Sequence, residues 1–185
     1  MSLRLATLLA ATATMGLAAG VFGLYSHTIM RGLGKTDDRT FVGAFQAMDR
    51  AIMNPLFMFT FFGALLFSGA AAVLHRGDDF RDVLPWLVAA GLMYLVVVVI
   101  TLAVNVPLND ALKAAGDPAR IDVAQARADF HEDRWVALNW VRTVLSTAAF
   151  LALCWALVLH GRATAEDTAA GRVEATQAAH PGGWA

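Results

Sequence analysis

Long stretches of apolar residues with almost no charge alternate with polar segments along the chain. Four such stretches occupy about residues 5–27, 55–75, 83–109 and 135–160. A helix rises about 1.5 Å per residue, so about 20 apolar residues cross the roughly 30 Å hydrocarbon layer of a bilayer. Each stretch is therefore predicted to be a transmembrane helix. Because the second and third stretches are joined by a short polar link, we predict an all-α fold, a membrane-embedded four-helix bundle running up-down-up-down.

The two longer connections carry amphipathic patterns instead of plain polar sequence. In the first connection, apolar residues recur at helical spacing, with polar residues assigned to the other faces: Phe41, Val42, Phe45, Met48 and Ile52 against Gln46, Asp49 and Arg50. In the second connection, a charged helical pattern over residues 123–134 is predicted to run unbroken into the fourth span. We therefore predict short interfacial helices in both connections.

The two ends of the chain differ in character. The first apolar run is longer than the roughly 7 to 15 residues of a signal-peptide core, so we retain it as a membrane helix, although Ala18-Ala19-Gly20 could imitate a cleavage site. Beyond Arg162 the sequence is rich in Ala, Thr, Glu and Gly and lacks sustained apolar periodicity. We predict a four-helix transmembrane domain over residues 1–162 and a mostly disordered tail over residues 163–185.

Composition and charge narrow the class of protein and its partners. Hydrophobic residues make up 58% of the chain and charged residues 16%, against about 25% charged residues in soluble domains. A net charge of -1 argues against a nucleic-acid partner, which needs a clustered basic surface, so the lipid bilayer is the expected partner. Abundant alanine and scarce lysine favour a bacterial source. We expect a multi-pass protein of the cell membrane, in bacteria the inner membrane.

Unusual polar residues gather at one end of the predicted bundle. In this topology the end of the first span lies beside the start of the second, the end of the third and the start of the fourth. These ends carry His27, Asn54, Asn105, Asn109, Trp135, Asn139 and Arg142. Polar groups at membrane depth are costly unless they are paired inside the bundle, so they tend to mark functional sites. A count of Lys and Arg favours the cytoplasmic side for this end, but several of these residues could instead belong to the site or to acidic pairs, so the orientation stays open.

On the fourth span, three of these side chains share one face. Trp135, Asn139 and Arg142 follow one another at intervals of four and three residues, which is helical spacing. Arg142 could instead extend to the lipid headgroups, as long basic side chains near the ends of spans often do. Its alignment with Asn139 and Trp135 favours the interior of the bundle. We predict that Arg142 contacts Asn105, Asn109 or His27 across the bundle.

On the other spans, residue spacing and the positions of prolines predict which polar side chains point inward and which cap a helix. Asn105 and Asn109 share a helical face, and Pro107 between them removes an amide donor and should kink the helix. Both asparagines are predicted to hydrogen-bond within the bundle, because an unsatisfied amide in hydrocarbon costs several kcal/mol. His27 continues a stripe of small residues and is predicted to point inward. Asn54, directly before a proline, fits a helix cap better than a ligand-binding residue.

Metal and haem sites find little support in the sequence. His131 and Glu132 lie at a charged helix start, and the zinc signature His-Glu-x-x-His is absent. His75 and His160, at the other end of the bundle, could in principle ligate a haem between two helices. Histidines at the ends of spans are more often interfacial residues. We therefore predict no metal and no cofactor.

Several local motifs together resemble the anthrone oxygenase-like family of small membrane proteins, catalogued in bacteria as a domain of unknown function. The motifs are Tyr25–Leu33, Phe41–Pro55, Asn105-Val106-Pro107-Leu108-Asn109, and Arg134-Trp135 followed by Asn139 and Arg142. Together they cover the chain from about residue 5 to 160. The combination of Asn-x-Pro-x-Asn with Trp-x3-Asn-x2-Arg is more specific than either half alone.

The resemblance implies oxidation of an anthrone to an anthraquinone by molecular oxygen without a cofactor. Such chemistry needs a base for an acidic benzylic proton and donors that stabilise the resulting anion. We assign His27 as base and Arg142 and Asn109 as anion stabilisers. The expected substrate-binding residues are Asn105, Trp135, Asn139 and Asn54, with Trp135 as a stacking wall. The expected ligand is an apolar aromatic or quinone-like small molecule.

Two other functions remain open from the sequence. The chain could be a non-catalytic membrane protein that binds a lipid or small molecule, or one that scaffolds a partner. It could also be a small transporter, which four helices without internal duplication make less favoured unless the protein forms a homo-oligomer. The shape of the site separates these alternatives. A cavity bordered by polar groups favours chemistry, whereas tightly interlocked polar groups favour a structural role.

Overall fold

The computed structural model describes residues 2–179, and the regular elements in that part of the chain are helical. They are α1 Leu3–Leu33, α2 Asp38–Ile52, α3 Pro55–Leu74, α4 Leu84–Ala114, α5 Val123–Asp129 and α6 Glu132–Ala179, with a 3₁₀ turn at Asp78–Phe80. The predicted all-α fold is confirmed.

The four long helices pack as a ring. α1 packs against α3 and α6, and α4 closes the ring against the same two helices. Lipid is as apolar as a side chain, so membrane helices associate through close packing of small residues. Fully buried alanines stand at these contacts on every long helix: Ala11, Ala18, Ala64, Ala71, Ala90, Ala149 and Ala156. The predicted four-helix bundle is confirmed.

The outside of this bundle is apolar. Leu66, Leu92 and Val144 are 68%, 59% and 61% exposed, and other large apolar side chains also point away from the core. α1, α3, α4 and the Glu132–Glu166 part of α6 are each long and apolar enough to cross a bilayer. A soluble protein would not expose this much apolar surface. The fold is therefore that of a multi-pass membrane protein.

The two shorter helices close one end of the bundle, here called the capped end. α2 buries Phe41 and Phe45 against Phe130, with ring centroids of Phe45 and Phe130 only 4.6 Å apart. To bury Phe130, the chain must turn between α5 and α6, and His131 takes a positive φ of 52° there. The prediction that residues 123–134 run unbroken into the fourth span is therefore wrong.

Two of the long helices contain a wider, π-helical turn near the capped end, at Tyr25–Ile29 and Thr101–Asn105. In the second, the amide of Val106 donates to the carbonyl of Thr101, five residues back. Pro107 follows directly, so the expected disruption of the helix takes the form of a π turn, a feature frequent at functional sites. This turn brings Asn105 into the core, where it is 1% exposed.

α6 continues well beyond the membrane segment. It extends to Ala179, over residues for which composition predicted a disordered tail. Alanine has the highest helix propensity of all residues, and this segment is rich in it, so a helix can persist without apolar periodicity. Residues 180–185 of the predicted tail lie outside the described part of the chain.

We predict that both ends of the chain lie on one side of the membrane, because an even number of crossings returns the chain to its starting face. Reporter fusions at Met1 and Ala185 should report the same compartment, and a fusion in the link at Gly77 should report the other one. Opposite compartments for the two terminal fusions would contradict the four-span topology.

Candidate functional site

A cavity lies between the helices at the capped end. Its volume is about 80 Å³, and it is lined by Val21, Phe22, Tyr25, Phe45, Asp49, Ile52, Phe57, Thr101, Val106, Asn109, Trp135, Asn139 and Arg142. A buried water needs about 10–15 Å³ by the same measure, whereas the pockets that bind drug-sized ligands measure about 300–1,000 Å³. The cavity therefore admits dioxygen or a few waters as it stands. A larger ligand requires its partly exposed wall residues, such as Val21 and Phe57, to move.

Arg142 is a buried cation in the wall of this cavity, with only 5% of its surface exposed. It donates to Asn139 Oδ1 at 2.8 Å and to Thr101 Oγ1 at 3.2 Å. Its guanidinium lies over the rings of Phe22 and Trp135, 4.7 and 5.4 Å from their centroids. Its Nε is buried without a hydrogen-bond partner, and no carboxylate in the described residues forms an ion pair with it. The site therefore presents a positive charge that no carboxylate of the described residues contacts.

Asn139 fixes the position of Arg142. Its amide nitrogen donates to the carbonyl of Phe22 at 3.1 Å and to Ser26 Oγ at 2.7 Å, which leaves its oxygen free to accept from Arg142. Ser26 also lies 2.9 Å from Thr143 Oγ1. These bonds connect α1 to α6. The predicted inward face of Trp135, Asn139 and Arg142 is confirmed, since all three are buried.

Asp49 also lines the cavity, where it belongs to a chain of polar contacts. Trp135 Nε1 donates to Asn109 Oδ1, and Asn109 Nδ2 donates to Asp49 Oδ1, each at 2.7 Å. The second carboxylate oxygen lies 2.7 Å from Lys113 Nζ. Asp49 is 7% exposed. The sequence pattern assigned Asp49 to a face other than the apolar one. It nevertheless follows the buried Phe41 and Phe45 at intervals of four residues, and that spacing predicts a buried position.

Asn105 and Asn109 both hydrogen-bond within the bundle, as predicted. Asn105 Nδ2 donates to the carbonyl of Trp135 at a long 3.4 Å, and Asn105 Oδ1 is buried without a partner. Asn109 lines the cavity, whereas Asn105 lies outside its lining. Arg142 makes its hydrogen bonds to Asn139 and Thr101 instead of to the residues predicted, although it shares the cavity with Asn109.

Two predicted site residues lie away from the cavity. His27 is exposed, and its Nδ1 lies 2.6 Å from Thr28 Oγ1. The prediction that it points inward is wrong, because the buried side of α1 runs through Phe22, Ser26 and Met30. Asn54 is also exposed and caps α3, accepting from the amide of Phe57 at 3.0 Å.

The histidines at the other end of the bundle pair with each other. His75 Nδ1 contacts the carbonyl of Ala71 at 2.7 Å and so carries a proton, which leaves its Nε2 to accept from His160 Nδ1 at 3.0 Å. Burial lowers the pKa of His75, which favours the neutral ring. Both rings are almost fully buried, and Phe80 stacks on His160. This direct bond occupies a nitrogen that a haem iron would need.

Comparison with known proteins gives a match to a protein family. The family model described as anthrone oxygenase matches residues 56–152, which is more than half of the chain. The match includes Asn109, Trp135, Asn139 and Arg142 of the cavity, while Asp49 and His27 precede it. No curated protein and no solved structure matches the chain.

Proposed function

We propose, because the chain belongs to the anthrone oxygenase family, that it oxidises an anthrone or a related apolar aromatic ketone with molecular oxygen inside the membrane. The substrate class is apolar and would reach the site from the bilayer. Trp135, Tyr25 and Phe45 line the cavity with aromatic surface suited to a flat ring system.

The buried cation Arg142 is the observation that carries this proposal. A charged group held at membrane depth without an oppositely charged group in contact is costly, and such groups usually serve a ligand or a reaction. Asn139 and the aromatic rings hold the guanidinium in place before any ligand arrives, so little reorganisation is needed when negative charge develops nearby. An enolate or phenolate oxygen is the anion that an aromatic ketone would present.

Asp49 is the group that we assign as base, in place of His27. It borders the cavity as a carboxylate, whereas His27 is exposed and lies outside the lining. A general base must come within hydrogen-bond reach of the proton that it removes. Asn109, bonded to both Asp49 and Trp135, fixes the orientation of the carboxylate.

The overall reaction removes both hydrogens from the benzylic carbon of the anthrone. That carbon gains one atom of dioxygen as a ketone, and the other atom leaves as water. Asp49 takes the first proton, and the enolate transfers one electron to dioxygen. The radical pair recombines into a carbon–oxygen bond, and the peroxide anion takes a proton back from Asp49. Loss of the second carbon-bound proton then breaks the oxygen–oxygen bond, and the released hydroxide combines with that proton to form water.

The alternative of a non-catalytic binding protein has one observation in its favour. The cavity of about 80 Å³ is smaller than an aromatic tricycle needs, and its polar groups are largely bonded to one another. In that case the protein would bind its ligand after local movement and release it unchanged. Measurement of turnover decides between the two functions.

The purified protein in lipid nanodiscs should convert anthrone to anthraquinone faster than empty nanodiscs do. With isotopically labelled dioxygen, the product should gain one labelled oxygen atom and the released water should carry the other. Chelation should leave the rate unchanged, because the proposed reaction uses no metal. A rate equal to that of empty nanodiscs would contradict oxidation of this substrate class and favour the binding function.

A further inference from the structure

We propose that Lys113 is a positioning residue that stabilises the negative charge of the Asp49 carboxylate and links this carboxylate to the charge state of the capped end. The inference rests on the proposed function, because it assigns regulation to the base of that reaction. Lys113 itself lies outside the lining of the cavity and would act through Asp49.

The ammonium group of Lys113 lies between two carboxylates of different exposure. Its Nζ is 2.7 Å from Asp49 Oδ2 and 2.9 Å from Asp110 Oδ1. The side chain of Asp49 is 8% exposed, whereas that of Asp110 is 61% exposed. One cation is thus shared between a buried group at the cavity and a group in contact with solvent.

The framework around this pair is held by hydrogen bonds from one buried side chain to two backbone carbonyls. Gln46, one helical turn before Asp49, donates to the carbonyls of Leu112 and Gly116 at 2.8 and 3.0 Å. Gln46 is 2% exposed, so these bonds are shielded from water. Gly116 has a positive φ of 108°, which ends α4 and presents its carbonyl to Gln46. The pairing of Asp49 with Lys113 is therefore fixed by the packing of α2 against α4.

Other charged or titratable groups near Asp49 do not replace Lys113. Tyr25 on α1 and Arg142 on α6 border the same cavity, but the hydrogen bonds of Arg142 go to residues other than Asp49. Arg50, next to Asp49 on α2, is exposed and donates to Gln46 at 3.4 Å. Without Lys113, Asp49 would keep only the amide of Asn109 as a partner, and no cation would contact the carboxylate.

The test is the pH dependence of anthrone oxidation in the Lys113→Met variant. Loss of an adjacent opposite charge should move the acid limb of the pH–rate profile upward by about 1–3 pH units, with most of the parent rate recovered at alkaline pH. Lys113→Arg keeps the cation and should restore the parent profile. Lys35→Met changes the other lysine of the chain, which is exposed, and should leave the profile unchanged. Asp110→Asn should move the acid limb downward, because Lys113 then serves Asp49 alone.

A second measurement tests the role of Lys113 independently of anthrone oxidation. Infrared titration of the protein in nanodiscs should show the band of a protonated carboxyl group. This band should be absent from Asp49→Asn, which assigns it to Asp49. In Lys113→Met the band should appear at a higher pH than in the parent. If the parent fails to oxidise anthrone but this band shifts, the proposed function falls and the role of Lys113 stands. An equal loss of rate at every pH, or a band that does not move, would overturn the role of Lys113.

Discussion

The Asp49→Asn variant should oxidise anthrone about 10²–10⁴-fold more slowly than the parent, which is the usual contribution of a positioned general base. Asparagine has nearly the same shape and can still accept the hydrogen bond that Asn109 donates to Asp49 Oδ1. Lys113 keeps its contact with Asp110. The substitution therefore removes the basic oxygen while preserving most of the local packing. Initial rates in nanodiscs at neutral pH measure the effect.

Asp117→Asn is a suitable control for this substitution. Asp117 lies beyond the end of α4, and its side chain is 57% exposed and pairs with Arg120. Its loss should leave the rate of anthrone oxidation within experimental error. Binding of anthraquinone should be similar in the parent and in Asp49→Asn, because the base acts on a proton that the product lacks. A parent-like rate in Asp49→Asn would show that the base lies elsewhere.

The bundle itself could be predicted from the sequence for a simple physical reason. A helix must be about 20 apolar residues long to cross the bilayer, so length and charge alone locate the spans. The polar stripe of Asn139 and Arg142 could also be read, because polar residues at membrane depth face the interior of a bundle. Neither inference depends on knowing which helices touch.

The buried face of an apolar helix could not be predicted from the sequence in the same way. Lipid-facing and core-facing residues are both apolar, so α1 gives no periodic signal that separates Ser26 from His27. As a result His27 was selected as base although it is exposed. On α2 the signal existed, because Asp49 follows Phe45 by one helical turn on the buried side.

The remaining parts of the site arise from contacts between residues far apart in the chain. Asn139 bonds to Ser26 across 113 positions, and Asn109 bonds to Asp49 across 60. Local spacing places residues on a face of one helix, but the partner of each face depends on how whole helices pack. The turn at His131 likewise follows from the burial of Phe130 against α2, which no pattern within α5 or α6 shows.

Substitution of Arg142 should also have a large effect on the rate of anthrone oxidation. Arg142→Lys keeps the charge but loses the planar fork of donors that contacts Asn139 and Thr101 together. Because loss of one oxyanion donor typically costs about 10²–10³-fold in rate, the variant should lower the turnover of anthrone by about that factor. The variant should also show a smaller preference than the parent for the ionised form of a hydroxyanthraquinone over the neutral form, because lysine keeps the charge but not the fork of donors. Binding of unsubstituted anthraquinone, which carries no anionic oxygen, should change little. Absorbance titration in nanodiscs measures both ligands.

Substitution of Arg142 by lysine or by leucine should leave insertion of the protein into the membrane intact. The Arg142→Leu variant should insert at least as well as the parent, because a charge at the centre of a helix costs about 2.5 to 3.5 kcal/mol on insertion scales. Arg134→Lys is the matched control, since Arg134 lies on the same helix but is exposed. It should leave turnover and ligand preference unchanged. If Arg142→Lys and Arg142→Leu both oxidise anthrone and bind the ionised ligand as the parent does, the buried cation serves packing alone, and the reaction must stabilise its anion through other residues.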